Sequence, residues 1–185
     1  MSGWAVIAVT CLVLLSACTP EQPADLASGP SSAAPAPATS ASPSQTGADR
    51  AKQDALAAYL GMWQDFAEAG TTSDWQSSKL AQHAASLALT NLSRGLYADH
   101  YNGLVTKGEA THDARVMSAE PANEPTRVIV TDCSDSTNAL KYRADNGQLA
   151  DSTPGGRRLI NGQVELQQDN SWKVTDFAVH EVGTC

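Results

Sequence analysis

The clearest fold signal in the sequence is residues 156–182, GRRLINGQVELQQDNSWKVTDFAVHEV. It contains two runs rich in β-branched and other apolar residues, with the turn-forming residues Asp169, Asn170 and Ser171 between them. Apolar side chains recur in these runs with a period close to two, which is the period of a β-strand. The stretch therefore predicts a long antiparallel hairpin, with strands over 156–168 and 171–182.

Outward from this hairpin, the sequence predicts more strands and, before them, helices. Beyond Gly103 the period is close to two, and strands are predicted near 104–107, 110–119, 126–133 and 138–144. Before Gly103, apolar residues recur every three or four positions, and helices are predicted over 48–70, from Ser73 or Asp74 to about 85, and over 84–101. Helices followed by antiparallel strands indicate an α+β domain with its helices packed on one face of the sheet.

The N-terminal region is typical of export. Residues 4–15, WAVIAVTCLVLL, are apolar but too few to span a bilayer, which takes about 20 residues. The following Leu15-Ser16-Ala17-Cys18 resembles a bacterial lipobox. We therefore expect a signal peptide over 1–17 and a lipid on Cys18, although the residues before the apolar run include no Lys or Arg. An ordinary signal peptide or a short anchor is the alternative.

The segment after Cys18 reads as a tether. Residues 18–47 consist mainly of Pro, Ala, Ser, Thr and Gly, and such a composition buries too little apolar surface to fold. The folded domain is then predicted over 48–185, held by its lipid on the outer face of the cell membrane. The formal net charge of −8 argues against nucleic acid as a partner, because phosphate contacts need clustered Lys and Arg.

The cysteines support the same localisation. Cys11 is expected to leave with the signal peptide and Cys18 to carry the lipid, so Cys133 and Cys185 remain in the domain. Because disulfides persist in exported proteins, a bond between these two is predicted. The alternative, a metal site with two cysteine ligands, lacks a histidine at a suitable spacing.

The order of elements and three short motifs resemble a known family. The motifs are DNSWKVTDF at 169–177, TPGGRR at 153–158 and GTC at 183–185. The chain resembles the nuclear transport factor 2-like superfamily, which includes SnoaL-like and steroid isomerase-like domains, and in particular small secreted lipoproteins of high-GC Gram-positive bacteria. The resemblance implies three helices on a strongly bent antiparallel meander, a cone-shaped half barrel with a pocket between the first helix and the sheet.

The same resemblance implies that an enzyme of this kind would hold an Asp or His, often with a Tyr, inside the cone. The possible acids and bases are Asp65, Asp132, Asp176 and His180, and the possible donors are Tyr59, Tyr97, Tyr101 and Tyr142. None of them stands out from the sequence, so no catalytic residue is assigned. The residues expected to line the pocket are Tyr59, Trp63, Phe66 and Tyr97.

Several polar residues are expected to have no catalytic role. Asp65 is expected to face solvent, and Asp132 to cap a strand end or a turn. The Arg157-Arg158 pair could bind an anion, but a solvated sheet edge is the more ordinary interpretation. The remaining histidines match no metal-ligand spacing and are expected on the surface; they are His83, His100 and His112. No metal and no cofactor is predicted, and the inward face of the last strand stays open.

These observations favour a cell-surface lipoprotein whose domain binds a small apolar ligand or an envelope protein without catalysis. One alternative is an isomerase- or cyclase-type enzyme that uses a single acid or base in the cone. Another is an accessory subunit of an envelope transport or secretion system. The enzyme hypothesis requires an acid or His and a Tyr that converge at an open pocket, and a cone filled by side chains would exclude it.

Overall fold

The computed structural model describes residues 46–153 and 155–185. In this part of the chain three helices precede six strands, which confirms the predicted α+β class. The elements are α1 (Gly47–Gly70), α2 (Leu80–His83), α3 (Ser86–Tyr101), β1 (Leu104–Lys107), β2 (Thr111–Glu120), β3 (Arg127–Asp135), β4 (Leu140–Arg143), β5 (Arg157–Leu166) and β6 (Trp172–Val179). The predicted signal peptide, Cys18 and nearly all of the tether lie outside the described residues.

The first helix begins at a side-chain cap and presents one apolar face to the sheet. The Thr46 hydroxyl accepts a hydrogen bond from the backbone N–H of Asp49 at 3.1 Å, which satisfies one of the free donors at the helix start. The buried face of α1 includes Ala55, Tyr59 and Met62, which join the core of the sheet. No helix in the described range is long and apolar enough to cross a membrane.

The second helix is much shorter than predicted. Ser73 has a positive φ of 52°, and the Asp74 carboxylate accepts a hydrogen bond from the backbone N–H of Gln76 at 3.2 Å. Such local bonds offer the backbone an alternative to helical bonding. The segment therefore runs in turns, and only Leu80–His83 forms a helical turn.

The strands form two sheets, and the predicted meander is wrong in this respect. β2, β3, β5 and β6 form a curved antiparallel sheet in that order, whereas β4 pairs with β1 in a separate two-stranded ribbon. β3 therefore pairs directly with β5, and the chain leaves the main sheet between them. The predicted hairpin of the last two strands is present, with Asn170 in the left-handed conformation in its turn.

Two bulges determine which side chains face α1. We call the face formed by the buried Val128, Val130, Ile160 and Val164 the inner face. The register shifts between Val116 and Ser118 on β2, and again on β6 opposite Gln163 and Val164. Since a shift of one residue moves a strand's side chains to the opposite face, the inward positions on β6 change from even to odd numbers. Val174 is buried before the shift, whereas Phe177 and Val179 lie opposite Gly162 and Ile160 after it.

The structure joins Cys133 to Cys185, with Cα atoms 5.8 Å apart and 52 positions of separation. This pairing agrees with the one predicted. Cys133 lies next to the inward Asp132 on β3 and so belongs to the outer face of the sheet. The bond ties the segment after β6 to β3, one of the two central strands of the main sheet.

Candidate functional site

A cavity of about 600 Å³ lies between α1, the inner face of the main sheet and the β1–β4 ribbon. Helix α1 contributes Leu60, Trp63 and Phe66 to its wall, and the sheet contributes Ile160 and Val179. These five side chains make much of the wall apolar. The cone is therefore open, with Trp63 and Phe66 forming its wall.

The residues predicted to line the pocket divide into three cases. Trp63 and Phe66 line it, with ring centroids 6.0 Å apart. Tyr59 lies deeper, fully buried in the core. Tyr97 is about half exposed on α3 and packs edge-on against Trp75 at 5.4 Å, so the structure does not bring it to the cavity.

Asp132 is the buried charged group of the inner face. It is 1% exposed, and its Oδ2 accepts hydrogen bonds from the Tyr59 hydroxyl at 3.0 Å and from His112 Nδ1 at 2.6 Å. Its Oδ1 has no partner among the described residues. The expectation that Asp132 caps a strand end is wrong, because β3 continues to Asp135 and Asp132 points inward in mid-strand.

Sheet register and helix packing bring these three side chains together. His112 lies opposite Ser134, and Ala114 lies opposite Asp132, so His112 and Asp132 are diagonal neighbours on one face. Tyr59 enters from α1, where its ring lies against Gly162 on β5. A buried carboxylate is tolerated only where hydrogen-bond donors reach it, and α1 and β2 supply these donors with Tyr59 and His112.

His112 is held in one orientation. Its Nδ1 donates to the carboxylate of Asp132, and its Nε2, the acceptor nitrogen of a neutral ring with this tautomer, has no partner among the described residues. Its ring stacks on Trp63, with centroids 5.7 Å apart and planes 19° from parallel. His112 lines the cavity with its side chain 13% exposed, so the expectation of a surface histidine is wrong.

Tyr59 acts as a permanent donor in this group. Burial first, and then the negative charge of Asp132, raise the pKa of Tyr59 well above its ordinary value. The hydroxyl therefore stays protonated and keeps its hydrogen bond to Asp132. The His112 imidazole thus lines the cavity and is oriented by the buried carboxylate of Asp132. The buried Tyr59 hydroxyl in turn holds that carboxylate in place.

Charged groups also line the cavity. Lys141 donates to Asp99 and to the Thr106 hydroxyl, so its charge is partly balanced. The Arg157-Arg158 pair divides between the two faces: Arg158 lines the cavity, whereas Arg157 donates to Cys133 Sγ at 3.1 Å on the outer side. The cavity wall therefore carries charges of both signs beside its apolar surface, since Glu109 and Asp151 line it together with Lys141 and Arg158.

The other candidate acids and bases lie away from the cavity. Asp65 is buried and bonds His83 Nδ1 at 2.7 Å, so the expectation that it faces solvent is wrong. Asp176 is exposed, and His180 contacts Asn161 on the outer face at 2.9 Å. Two of the candidate donors are also elsewhere: Tyr101 is exposed, and the Tyr142 ring lies under Lys107. The described residues contain no group of three or more side chains suited to hold a metal.

One signal in the sequence points to Asp132. Residues 128, 130, 132 and 134 read Val, Val, Asp and Ser, so an inward series that begins with valines continues with polar side chains. A polar residue at an inward-facing position of a buried strand needs hydrogen-bond partners there. Such a position therefore makes Asp132 a candidate site residue. His112 and Tyr59 carry no comparable signal, because their approach depends on register and on the packing of α1.

No protein-family model matches the sequence, and no curated protein matches it. Two solved structures are similar in fold. The intermembrane space region of the chloroplast protein ARC6 is 16% identical, with a TM-score of 0.43, and the match covers 75% of this chain and 99% of that one. A ketosteroid isomerase-like protein from Erwinia carotovora atroseptica SCRI1043 is 10% identical, with a TM-score of 0.46, covering 69% and 93%. At these values the likenesses carry no argument about chemistry.

Proposed function

We propose that this protein is an envelope lipoprotein whose domain binds a small, largely apolar organic molecule. The cavity of about 600 Å³ supports this proposal, because its size falls in the range typical of small-molecule sites, roughly 300–1,000 Å³. The apolar side chains of its wall favour a ligand whose main part is apolar. His112 supplies a fixed polar group to orient that body, since one of its nitrogens is engaged by Asp132 and the other is available.

Binding can be tested with an uncharged dye, N-phenyl-1-naphthylamine, whose fluorescence rises in apolar surroundings. We expect saturable binding to the purified full chain. Ala67 lines the cavity from α1, so Ala67→Trp should fill it and abolish saturable binding. Ala57→Trp adds the same ring at an exposed position of the same helix and should leave binding unchanged. No saturable binding, or equal loss in both variants, would refute the proposal.

A second candidate function is acid–base catalysis of the isomerase or cyclase type. The observation that favours it is the His112–Asp132 pair at 2.6 Å beside an open cavity. Nε2 of His112 would accept a proton from a carbon next to a ligand carbonyl and return it at another carbon. Asp132 would stabilise the imidazolium formed, and Tyr59 would keep Asp132 in place. The requirement stated above for the enzyme hypothesis is met in part, because His112 lines the open cavity whereas the Tyr59 hydroxyl is buried and contacts Asp132 instead.

Proton abstraction has a direct readout. 2-Decanone incubated with the protein in D₂O should exchange the hydrogens next to its carbonyl faster than in buffer, as followed by NMR. His112→Gln should remove this acceleration, whereas His180→Gln, on the exposed outer face, should retain it. If the wild-type protein gives no acceleration while the dye still binds, the domain binds without this chemistry.

The proposed envelope localisation rests on residues 1–47 of the sequence. Cys18 in its lipobox-like context is the expected lipid attachment site, and the Pro- and Ala-rich segment after it would hold the domain clear of the membrane. Cys18→Ala should release the protein into the medium, as measured by cell fractionation. An unchanged membrane fraction would refute the lipid anchor. Crosslinking on intact cells that gives one specific protein adduct would favour the accessory-subunit alternative.

A further inference from the structure

Arg158 lies in a row of three side chains that crosses the inner face. His112 on β2 lies opposite Ser134 on β3, and Ser134 lies opposite Arg158 on β5. Directly opposed residues of antiparallel strands point to the same face. All three side chains line the cavity, so the row places a guanidinium, a hydroxyl and an imidazole along one wall.

The Arg158 guanidinium has no acid within ion-pair distance in the described part of the chain, although Glu109 and Asp151 also line the cavity. Its Nε donates to the backbone carbonyl of Gly155 at 3.3 Å, and its two terminal nitrogens have no partner in the described part of the chain. Lys141, by contrast, has the carboxylate of Asp99.

Ser134 lies between His112 and Arg158 in this row and offers a second donor beside the guanidinium. It is buried, and its hydroxyl forms no hydrogen bond within the described residues. A guanidinium with two free nitrogens offers parallel donors that match a carboxylate, and a hydroxyl beside it can add a third donor. The α1 wall consists mainly of Leu60, Trp63 and Phe66, and its polar groups, the Gln64 amide and the Trp63 indole N–H, carry no charge.

We infer that the cavity's ligand is an amphipathic organic acid whose carboxylate binds Arg158, with Ser134 as a second donor. This inference rests on the proposed ligand-binding function. Neighbouring strands are about 4.8 Å apart, so two strand spacings separate the backbones of Arg158 and His112 by about 10 Å. The carboxylate therefore lies toward β5, and the apolar body extends along α1 in the direction of His112.

The test compares two ligands that share a ten-carbon chain, decanoate and decanol, as competitors of bound N-phenyl-1-naphthylamine at pH 7.5. Decanoate should displace the dye at a concentration about tenfold or more below that of decanol, the scale of one charge-assisted hydrogen bond. Arg158→Gln should remove this preference by weakening decanoate alone, and Arg158→Lys should keep part of it. Unchanged displacement by decanol shows that each variant is folded with its cavity intact.

Arg157→Gln is the matched control, because Arg157 is the neighbouring residue on the outer face. It should keep the full preference for decanoate. Three results would overturn the inference while the cavity still binds dye: no preference in the wild-type protein, equal weakening of both competitors by Arg158→Gln, or the same loss in Arg157→Gln. Failure of the dye to bind at all would instead refute the proposed ligand-binding function and this inference with it.

Discussion

Gly162 on β5 provides a sharp test of how the site is packed. It lies under the ring of Tyr59, and the absence of a side chain there lets the ring lie against the strand. A Cβ at this position would be 2.8 Å from Cε2 and 3.0 Å from Cδ2 of Tyr59. Since carbon atoms in contact are about 3.5–4.0 Å apart, Gly162→Ala forces the ring to move by about 0.7 Å or more.

The cost of this movement follows from the surroundings of Tyr59. The ring is fully buried, and its hydroxyl is 3.0 Å from Asp132 Oδ2, so a shift also weakens that hydrogen bond. Overpacking of a core costs about 1–3 kcal/mol, and a weakened buried hydrogen bond adds about 1 kcal/mol. The loss of glycine's backbone freedom offsets about 0.5–1 kcal/mol of this. We therefore expect Gly162→Ala to lower the free energy of unfolding by about 1–3 kcal/mol, measured by urea denaturation with the disulfide intact.

The matched control is Gly95 on α3, where an added Cβ meets nothing within 4 Å. Because alanine is the better helix former, Gly95→Ala should raise the free energy of unfolding by about 0.5–1 kcal/mol. The expected result is thus opposite in sign for the same chemical change. A Gly162→Ala protein as stable as wild type would refute the close approach of Tyr59 to the sheet.

Three further predictions concern individual contacts. Tyr59→Phe should lower the free energy of unfolding by about 1–3 kcal/mol at neutral pH. This deficit should shrink above about pH 10, because there the unfolded wild-type chain releases the Tyr59 proton that the folded protein retains. Wild-type stability should then fall by about 1.4 kcal/mol per pH unit. A constant deficit in urea melts from pH 7 to 11 would contradict this. Reduction of the Cys133–Cys185 bond, which spans 52 positions, should cost about 4 kcal/mol, and equal melting with and without reductant would count against it. Asp65→Asn should cost about 1 kcal/mol through its bond to His83, and an unchanged urea midpoint would show that the pair is not stabilising.

The predicted elements agree well with the observed ones where the signals are local. The hairpin predicted over 156–168 and 171–182 is observed as Arg157–Leu166 and Trp172–Val179. The first helix, predicted over 48–70, is observed over Gly47–Gly70. Turn-forming residues and the spacing of apolar side chains act over a few positions, so the elements that depend on them can be predicted from the sequence. The second helix is shorter than predicted, because the positive φ of Ser73 and the local hydrogen bond from Gln76 N–H to Asp74 interrupt helical bonding there.

The site itself was predicted only in part. Trp63 and Phe66 were expected to line the pocket and do, since they lie on the apolar face of a strongly periodic helix. Tyr97 lies elsewhere because α3 turns that side chain outward. Asp132 and His112 were assigned ordinary roles, because a lone polar residue in a strand does not reveal which donors its neighbours supply.

Three features can be predicted from the sequence alone: the α+β class, the final hairpin and the pairing of Cys133 with Cys185. These follow from period, turn chemistry and the small number of cysteines left in the domain. By contrast, the contacts of Asp132 with Tyr59, 73 positions away, and with His112, 20 positions away, depend on how the chain packs. This follows because the register of β2 on β3 makes His112 a diagonal neighbour of Asp132, and the packing of α1 on Gly162 sets the reach of Tyr59. Neither depends on local sequence alone.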